Sequence, residues 1–251
     1  MCRICDISNS AARPQASRRR FLQFAGGIAA GLAVAPLAFA PTAFAKETKA
    51  PPKPQNQMTP AAALDRLMQG NARYVQGVSR RHDFKHEREA LVGGQNPFAS
   101  ILSCADSRIA PEYAFDSGRG DLFVCRVAGN FANDDTVASL EYGVAVLNSP
   151  LILVLGHDSC GAVDATIKSL KDNTTLPGHL PSLVNALAPS VKASADKPGD
   201  KLANATRQNV IDVMAKLKSA TPILSAAAAE GKIKIVGGIY RLDSGKVELI
   251  G

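Results

Sequence analysis

Four short apolar runs alternate along the chain with longer segments whose apolar residues recur at helical spacing. The runs cover residues 98–103, 122–127, 151–155 and 233–237. Apolar runs of this length, without polar alternation, are typical of strands buried on both faces of a parallel sheet. The pattern predicts an α/β fold, a mainly parallel β-sheet flanked by helices, with ligands expected at the carboxyl ends of the strands.

Helices are predicted around these strands. The segments with helical spacing are residues 136–147, 161–170 and about 202–218. Thr59-Pro60 is a typical helix start, because Pro is favoured at the first helical position, and we expect the helix that follows to form an N-terminal helical arm. Residues 174–200 contain several Pro and Ala and are interpreted as an excursion that precedes the last helix.

The first 45 residues have the composition of a targeting segment. Arginines at 18–20 precede a stretch, residues 24–45, that is apolar and interrupted by Gly and Pro. This segment resembles a bacterial twin-arginine (Tat) export signal, which implies the Tat export machinery as a partner and a periplasmic or otherwise exported protein. Small residues before Lys46 predict cleavage after Ala45. An uncleaved membrane anchor is the alternative, although the Gly and Pro content argues against a stable span.

The net charge of the chain is small once that segment is set aside. The chain carries 29 basic and 22 acidic side chains, but residues 1–45 hold five of the basic and one of the acidic groups, which leaves +3 for the remainder. So small an excess of basic side chains does not indicate a nucleic-acid-binding surface. Residues 46–58 are rich in Pro and Lys and predict a flexible lead, so we expect a single domain over residues 59–251.

Cysteine usage points away from a disulfide framework. Cys2 and Cys5 lie upstream of the arginines and are expected to be removed with the signal, which leaves three cysteines. Three is an odd number for an oxidising compartment, so either one thiol pairs outside the chain or these cysteines have another role. Cys125 lies within a predicted strand and is interpreted as a buried thiol.

Candidate chemistry falls at the ends of two predicted strands. Cys104 ends the first strand and is followed by Asp106 and Arg108, whereas His157 ends the third strand and Cys160 follows at the start of a helix. Cys sulfur and His nitrogen are the ligands that zinc prefers, and two Cys with one His leave a fourth coordination position open, as in catalytic zinc sites. The helix N-terminus also favours a thiolate at Cys160.

These two motifs resemble the β-class carbonic anhydrases. The first signature corresponds to residues 104–111 and the second to residues 141–161, with Gly143 where the family usually has Ala. Residues 126–130 and the segment 234–247 also resemble family segments, so the similarity runs over about residues 60–250.

The resemblance implies roles for individual residues. Cys104, His157 and Cys160 would be the zinc ligands. Asp106 would be either a fourth ligand in a closed state or the partner of Arg108 in an open state, where water takes its place. The implied reaction is the reversible hydration of carbon dioxide to bicarbonate and a proton by zinc-bound hydroxide, with Asp106 accepting a proton from the bound water. Family members are dimers or larger, so a homodimer is the minimum expected.

Several alternatives stay open on the sequence. A closed zinc site of two Cys, His157 and Asp106 could serve only to tie strand ends together, or the chain could be a non-catalytic zinc-binding protein. The same scaffold could also hydrolyse carbon disulfide or carbonyl sulfide. Tyr142 and Phe131 could line an apolar pocket or belong to the core, and His82 with His86 is interpreted as part of a solvated basic face.

Overall fold

The computed structural model describes residues 56–250, and five strands form one sheet in the order β2-β1-β3-β4-β5. The strands are β1 (Ala99–Ser103), β2 (Leu122–Arg126), β3 (Leu151–His157), β4 (Lys234–Tyr240) and β5 (Val247–Ile250). The first four are parallel to their neighbours, whereas β5 is antiparallel to β4. The central strands β1 and β3 are buried along their whole length, which confirms the predicted mainly parallel sheet.

Eight helices surround the sheet in the described part of the chain. They are α1 (Pro60–Val75), α2 (Phe84–Ala90), α3 (Pro111–Ala114), α4 (Asp134–Ala145), α5 (Gly161–Lys171), α6 (Leu180–Ala193), α7 (Lys201–Ser219) and α8 (Ile223–Ala229). Alternate residues of β3 serve opposite faces of the sheet: Ile152 and Val154 pack with α4, α7 and α8, whereas Leu151, Leu153 and Leu155 pack with α1 and α3. Because both faces are covered, the central strands are apolar throughout rather than alternating.

Helix α1 begins where the sequence predicts. The Thr59 side chain accepts a hydrogen bond from the Ala62 amide at 3.2 Å, and Pro60 occupies the first turn. The helix approaches α3 so closely that a Cβ atom at Gly70 would clash with the carbonyl oxygen of Phe115. Gly70 is therefore required by backbone proximity, not by a turn.

Asn71 fastens α1 to two other parts of the domain. Its Nδ2 donates to the carbonyl oxygens of Ala114 (2.9 Å) and Gly245 (2.8 Å), and its Oδ1 accepts from the Val247 amide (2.9 Å). The side chain is buried, so these three bonds satisfy a group that would otherwise be costly to desolvate.

Two parts of the sequence interpretation need correction. The segment 174–200 contains α6, which the pattern did not predict because Pro181 and Pro189 suggested a break. Pro181 lies in the first turn, where no amide donor is needed, and burial of Val184 and Leu187 offsets the cost of Pro189 inside the helix. The antiparallel strand β5 was also missing from the predicted set of strands.

The predicted flexible lead differs from the structure at its last residues, since Asn56 is buried. Its Nδ2 donates to the Asn96 carbonyl (2.8 Å) and to Asp121, while its Oδ1 accepts from Arg66. The predicted signal segment and the rest of the lead lie outside the described residues. Among residues 56–250, no helix combines the length and the apolar character that crossing a bilayer requires.

Replacing Asn71 tests how α1 is held. We expect Asn71→Ala to lower the free energy of unfolding by about 2–4 kcal/mol, because it removes three hydrogen bonds and leaves two carbonyls and one amide unpaired in the interior. Chemical denaturation followed by circular dichroism would measure the change. Gln69→Ala, an exposed amide on the same helix, is the matched control and should stay within about 0.5 kcal/mol of the parent; equal losses in both would contradict the role of Asn71.

Candidate metal centre

Three buried metal-ligating side chains converge where the central strands end. Cys104 follows β1 directly, His157 is the last residue of β3, and Cys160 caps the N-terminus of α5. Because β1 and β3 are parallel neighbours, with Ser103 paired to Leu155, their carboxyl ends meet at one edge. The ligand atoms of the three side chains all lie within 4.8 Å of one another.

The imidazole of His157 is oriented as a metal ligand. Its Nδ1 lies 2.8 Å from the carbonyl oxygen of Asp158, and because a carbonyl can only accept, Nδ1 carries the proton and Nε2 keeps its lone pair. Nε2 is buried and has no hydrogen-bond partner among the described residues. An orphaned, lone-pair-bearing nitrogen between two thiols is what a zinc or similar borderline cation requires.

The pKa values of the two thiols are shifted in opposite directions. The hydrogen bond from the Cys160 thiol is the main cause that lowers the pKa of Cys104 despite its burial, and the Gly129 amide also lowers it. The Gly129 amide lies 3.3 Å from the Cys104 sulfur. The hydrogen bond to Cys104 and burial in turn raise the pKa of Cys160, whereas the helix amides of Val163 and Ala162 lower it. The amides at the N-terminus of α5 thus favour the thiolate of Cys160, as expected, but their effect is smaller than that of Cys104 and burial.

Backbone conformation at Gly129 brings its amide to the Cys104 sulfur. Gly129 has φ +83°, and a Cβ there would lie 2.8 Å from the Leu187 side chain, so only glycine fits. The Asn209 side chain holds the same turn by donating to the Gly129 carbonyl at 2.8 Å.

Ser159, between His157 and Cys160, also has a positive φ of 51°. This turn lets the chain reverse between the end of β3 and the start of α5. Because of it, the sulfur of Cys160 faces the same centre as the imidazole.

Asp106 lies beside the three-residue cluster and is paired with Arg108. The guanidinium donates through Nε to Oδ1 (2.9 Å) and through Nη2 to Oδ2 (2.7 Å), and the Arg108 amide also donates to Oδ1 (2.9 Å). These bonds hold the pKa of Asp106 well below its usual range. Asp106 Oδ2 lies 3.8 Å from His157 Nε2, so the carboxylate borders the cluster while it is engaged by arginine.

Arg108 also links the two loops that carry the candidate ligands. Its Nη2 donates to the Ser159 carbonyl at 3.2 Å, across from the loop that bears Asp106. The structure thus brings together all five residues that the sequence analysis singled out, which are Cys104, Asp106, Arg108, His157 and Cys160.

Sequence reasoning gave no role to two groups at this site. One is the Gly129 amide, and the other is Arg126, whose guanidinium donates to the carbonyl oxygens of Cys104, Asp106 and Ile109. The run from Arg126 to Asn130 was noted in the sequence, but a side chain that bonds only to backbone leaves no chemical motif to recognise.

The remaining candidates lie away from the cluster. Phe131 packs against the apolar surroundings of Cys104 and Cys160, whereas Tyr142 is half exposed on α4, with its ring centroid 6.2 Å from that of Phe123. Cys125 is half-buried within β2, and burial raises the pKa of its thiol.

The two histidines near α2 each pair with a neighbouring carboxylate. His82 Nδ1 lies 3.0 Å from Glu87, and His86 Nδ1 lies 2.6 Å from Asp83. His82 precedes the helix and His86 lies within it, so the two do not share one helical face as metal ligands would. This arrangement agrees with the interpretation of a solvated, charged surface.

The departure at Gly143 has a packing explanation. A Cβ at this position would lie 2.7 Å from the Ser100 hydroxyl oxygen, which donates to Ser149 at 3.0 Å in the interior. The buried pair of serines occupies the space that an alanine methyl would need.

Comparisons with known proteins agree with this geometry. A family model described as carbonic anhydrase matches residues 99–247. Carbonic anhydrase 2 of Mycobacterium tuberculosis is 40% identical over 191 residues, which cover 76% of this chain and 92% of the relative. A carbonic anhydrase of Mycolicibacterium smegmatis is 39% identical over 191 residues, 76% of this chain and 93% of that protein.

A solved structure shows the same fold. The β-carbonic anhydrase CcaA superposes with a TM-score of 0.57 at 28% identity, over 75% of this chain and 95% of that chain. Two tetrameric β-carbonic anhydrases of the ascomycete Sordaria macrospora give a match at TM-score 0.57 and 24% identity, over 76% of this chain and 95% of that chain. The chain belongs to the β class of the carbonic anhydrase family.

The metal content of purified variants tests the cluster. We expect about one zinc ion per chain in the parent protein, and a loss of most of it in Cys160→Ser, since a serine hydroxyl is a poor zinc ligand. Elemental analysis of dialysed protein would measure the ratio. Cys125→Ser, a substitution of the same kind outside the cluster, is the control and should retain the metal; zinc retained in both variants would count against Cys160 as a ligand.

Proposed function

We propose that this chain is a zinc-dependent carbonic anhydrase, a lyase that converts carbon dioxide and water reversibly to bicarbonate and a proton. The observation that carries the proposal is the buried cluster of Cys104, His157 and Cys160, with an unpartnered Nε2 at its centre. Membership of the β-class family and the carbonic anhydrase relatives support the same reaction.

Each candidate zinc ligand has a defined role in this proposal. Cys104 and Cys160 would supply negative charge, and His157 a neutral nitrogen whose tautomer is fixed by Asp158. Zinc, when bound, acts as a Lewis acid that lowers the pKa of a coordinated water, less strongly with two thiolate ligands than with three histidines. Zinc binds thiolates, so binding of the metal would release the thiol protons of these cysteines.

Asp106 would orient the water substrate by accepting a hydrogen bond from it. The carboxylate is ionised throughout the physiological range because Arg108 lowers its pKa, so it can only accept hydrogen bonds. Oδ2 faces the cluster, with 3.8 Å to His157 Nε2, and a water molecule there would donate a hydrogen bond to it and direct a lone pair towards carbon dioxide. Arg108 holds the carboxylate in this orientation through a bidentate pair.

The alternatives differ in what they expect of Asp106. In a closed structural site the carboxylate would complete the ligand set, whereas here both of its oxygens are bonded to Arg108. The engaged carboxylate favours catalysis over a purely structural or storage site. Hydrolysis of carbon disulfide or carbonyl sulfide would use the same residues, so that reaction is an outcome of the assay below.

Export and assembly complete the proposal. The arginines and apolar stretch of residues 1–45 support Tat-dependent export with cleavage between Ala45 and Lys46, and hence a periplasmic or otherwise exported location. N-terminal sequencing of the exported protein would check the cleavage site.

A homodimer or larger assembly is supported by the related tetrameric structures and by large exposed apolar side chains such as Phe84 and Tyr113. Sedimentation of the purified protein would test the assembly.

Stopped-flow hydration of carbon dioxide tests the reaction and the role of Asp106 together. We expect the zinc-loaded parent to be active, and Asp106→Ala to retain zinc yet lose turnover by about 100-fold or more, because the hydrogen-bond acceptor that orients the water is gone. Asp164→Ala removes an exposed carboxylate on α5 and should leave the rate within about twofold. Near-normal turnover in Asp106→Ala would remove this residue from the mechanism, and a parent active only on carbon disulfide or carbonyl sulfide would change the substrate.

The pH dependence of hydration should rise into the alkaline range. Asp106 is already ionised near neutral pH, so it contributes no rise there; the rise would come from a coordinated water whose pKa in a two-thiolate site lies above the value of about 7 seen with three histidines. We expect kcat to increase from pH 7 to pH 9. A rate that is already flat below neutral pH would contradict this.

A further inference from the structure

The loop between β1 and α3, residues 104–110, carries three of the five candidate site residues but has few bonds of its own. Within it, the Ile109 amide donates to the Asp106 carbonyl at 3.1 Å, and at its start the Ala105 amide donates to the Val127 carbonyl at 3.3 Å. The Arg108 amide donates to Asp106 Oδ1 within the loop, and the Ala110 carbonyl accepts from amides of α3. The carbonyls of Cys104, Asp106 and Ile109 accept hydrogen bonds from a side chain outside the loop.

Arg126 supplies those bonds from the neighbouring strand. It is the last residue of β2 and is paired in register with Ser103, so its side chain extends past the end of the sheet alongside the loop. Nε donates to the Cys104 carbonyl at 3.0 Å, and Nη2 donates to the carbonyls of Asp106 (2.6 Å) and Ile109 (2.8 Å). One guanidinium therefore holds the backbone at the first, third and sixth residues of the loop.

Arg126 bonds to backbone carbonyl oxygens and not to the side chains of the candidate site. Within residues 56–250 the guanidinium has no carboxylate partner, and it contacts neither the sulfur of Cys104 nor the carboxylate of Asp106. It fixes the Cα positions from which both side chains project. A small displacement of Asp106 would change its distance to the cluster and its alignment with Arg108, and misplacements of about 1 Å cost up to about 100-fold in rate.

We propose that Arg126 is a positioning residue for the reaction, which holds the loop of Cys104, Asp106 and Arg108 in the geometry that the metal centre needs. This proposal rests on the proposed carbonic anhydrase function. The planar fork of arginine is required, because the single nitrogen of a lysine cannot reach three carbonyl oxygens at once. Lysine would keep the charge and lose the geometry.

The test compares Arg126→Gln and Arg126→Lys with the parent in the full, zinc-loaded protein. We expect kcat per bound zinc to fall by about 10- to 100-fold in both variants, with KM changed less than about threefold, because the geometry of the reacting groups is disturbed rather than substrate entry. Amide hydrogen exchange, measured on the same samples, should be at least about tenfold faster at Ile109.

Arg66→Gln is the matched control. Arg66 also makes several side-chain bonds, to Asn56 and Asp121, but lies away from the loop. This variant is expected to lose stability while kcat per bound zinc and exchange at Ile109 stay close to the parent values. A fall of the same size in the control would show that Arg126 acts only through general stability, which would overturn the proposal.

Three further results would overturn it. The first is unchanged exchange at Ile109 in both Arg126 variants, and the second is faster exchange with kcat per bound zinc unaltered. The third is full activity in Arg126→Lys, which would show that the geometry of the guanidinium is not needed. If the parent protein hydrates no carbon dioxide, the proposed function fails, and the exchange measurement still decides whether Arg126 holds the loop.

Discussion

The parallel pairing of β1 with β3 is the constraint on which the site depends. Their register places Ser103 beside Leu155, so the residues that follow Ser103 and the end of β3 emerge at the same edge of the sheet. Cys104 and His157 are separated by more than fifty positions in the chain, and only this pairing makes them neighbours. The apolar side chains on both faces of the two strands hold the pairing, because a slip of one residue would turn every buried side chain towards the wrong layer.

Around that edge, the protein uses backbone geometry more than side-chain chemistry to prepare the centre. The left-handed turn at Gly129 directs an amide to the Cys104 sulfur, and the turn at Ser159 brings Cys160 back towards His157. Arg126 and Arg108 then fasten the loops from two sides through carbonyl oxygens. These backbone bonds support the positions of the side chains that would hold a metal.

Electrostatics divides the acidic groups of the site into two roles. Asp106 stays ionised because Arg108 donates to both of its oxygens. The two thiols affect each other, so that ionisation of one opposes ionisation of the other. A divalent cation resolves that competition, since it favours both thiolates at once. The carboxylate beside the cluster and the thiols within it are therefore tuned by different neighbours, although they lie within a few ångströms of one another.

The sequence by itself determined the fold class, the positions of the four parallel strands and the residue types at the candidate site, because apolar runs report burial and Cys, His and Asp report chemistry locally. It misjudged α6, where the prolines of the segment were taken as breaks but packing against α5 and α7 maintains the helix. It also gave no role to Arg126 or to the Gly129 amide. Their importance depends on which carbonyls and sulfur they reach, and those distances are set by strand order and turn conformation, which exist only once the chain has folded.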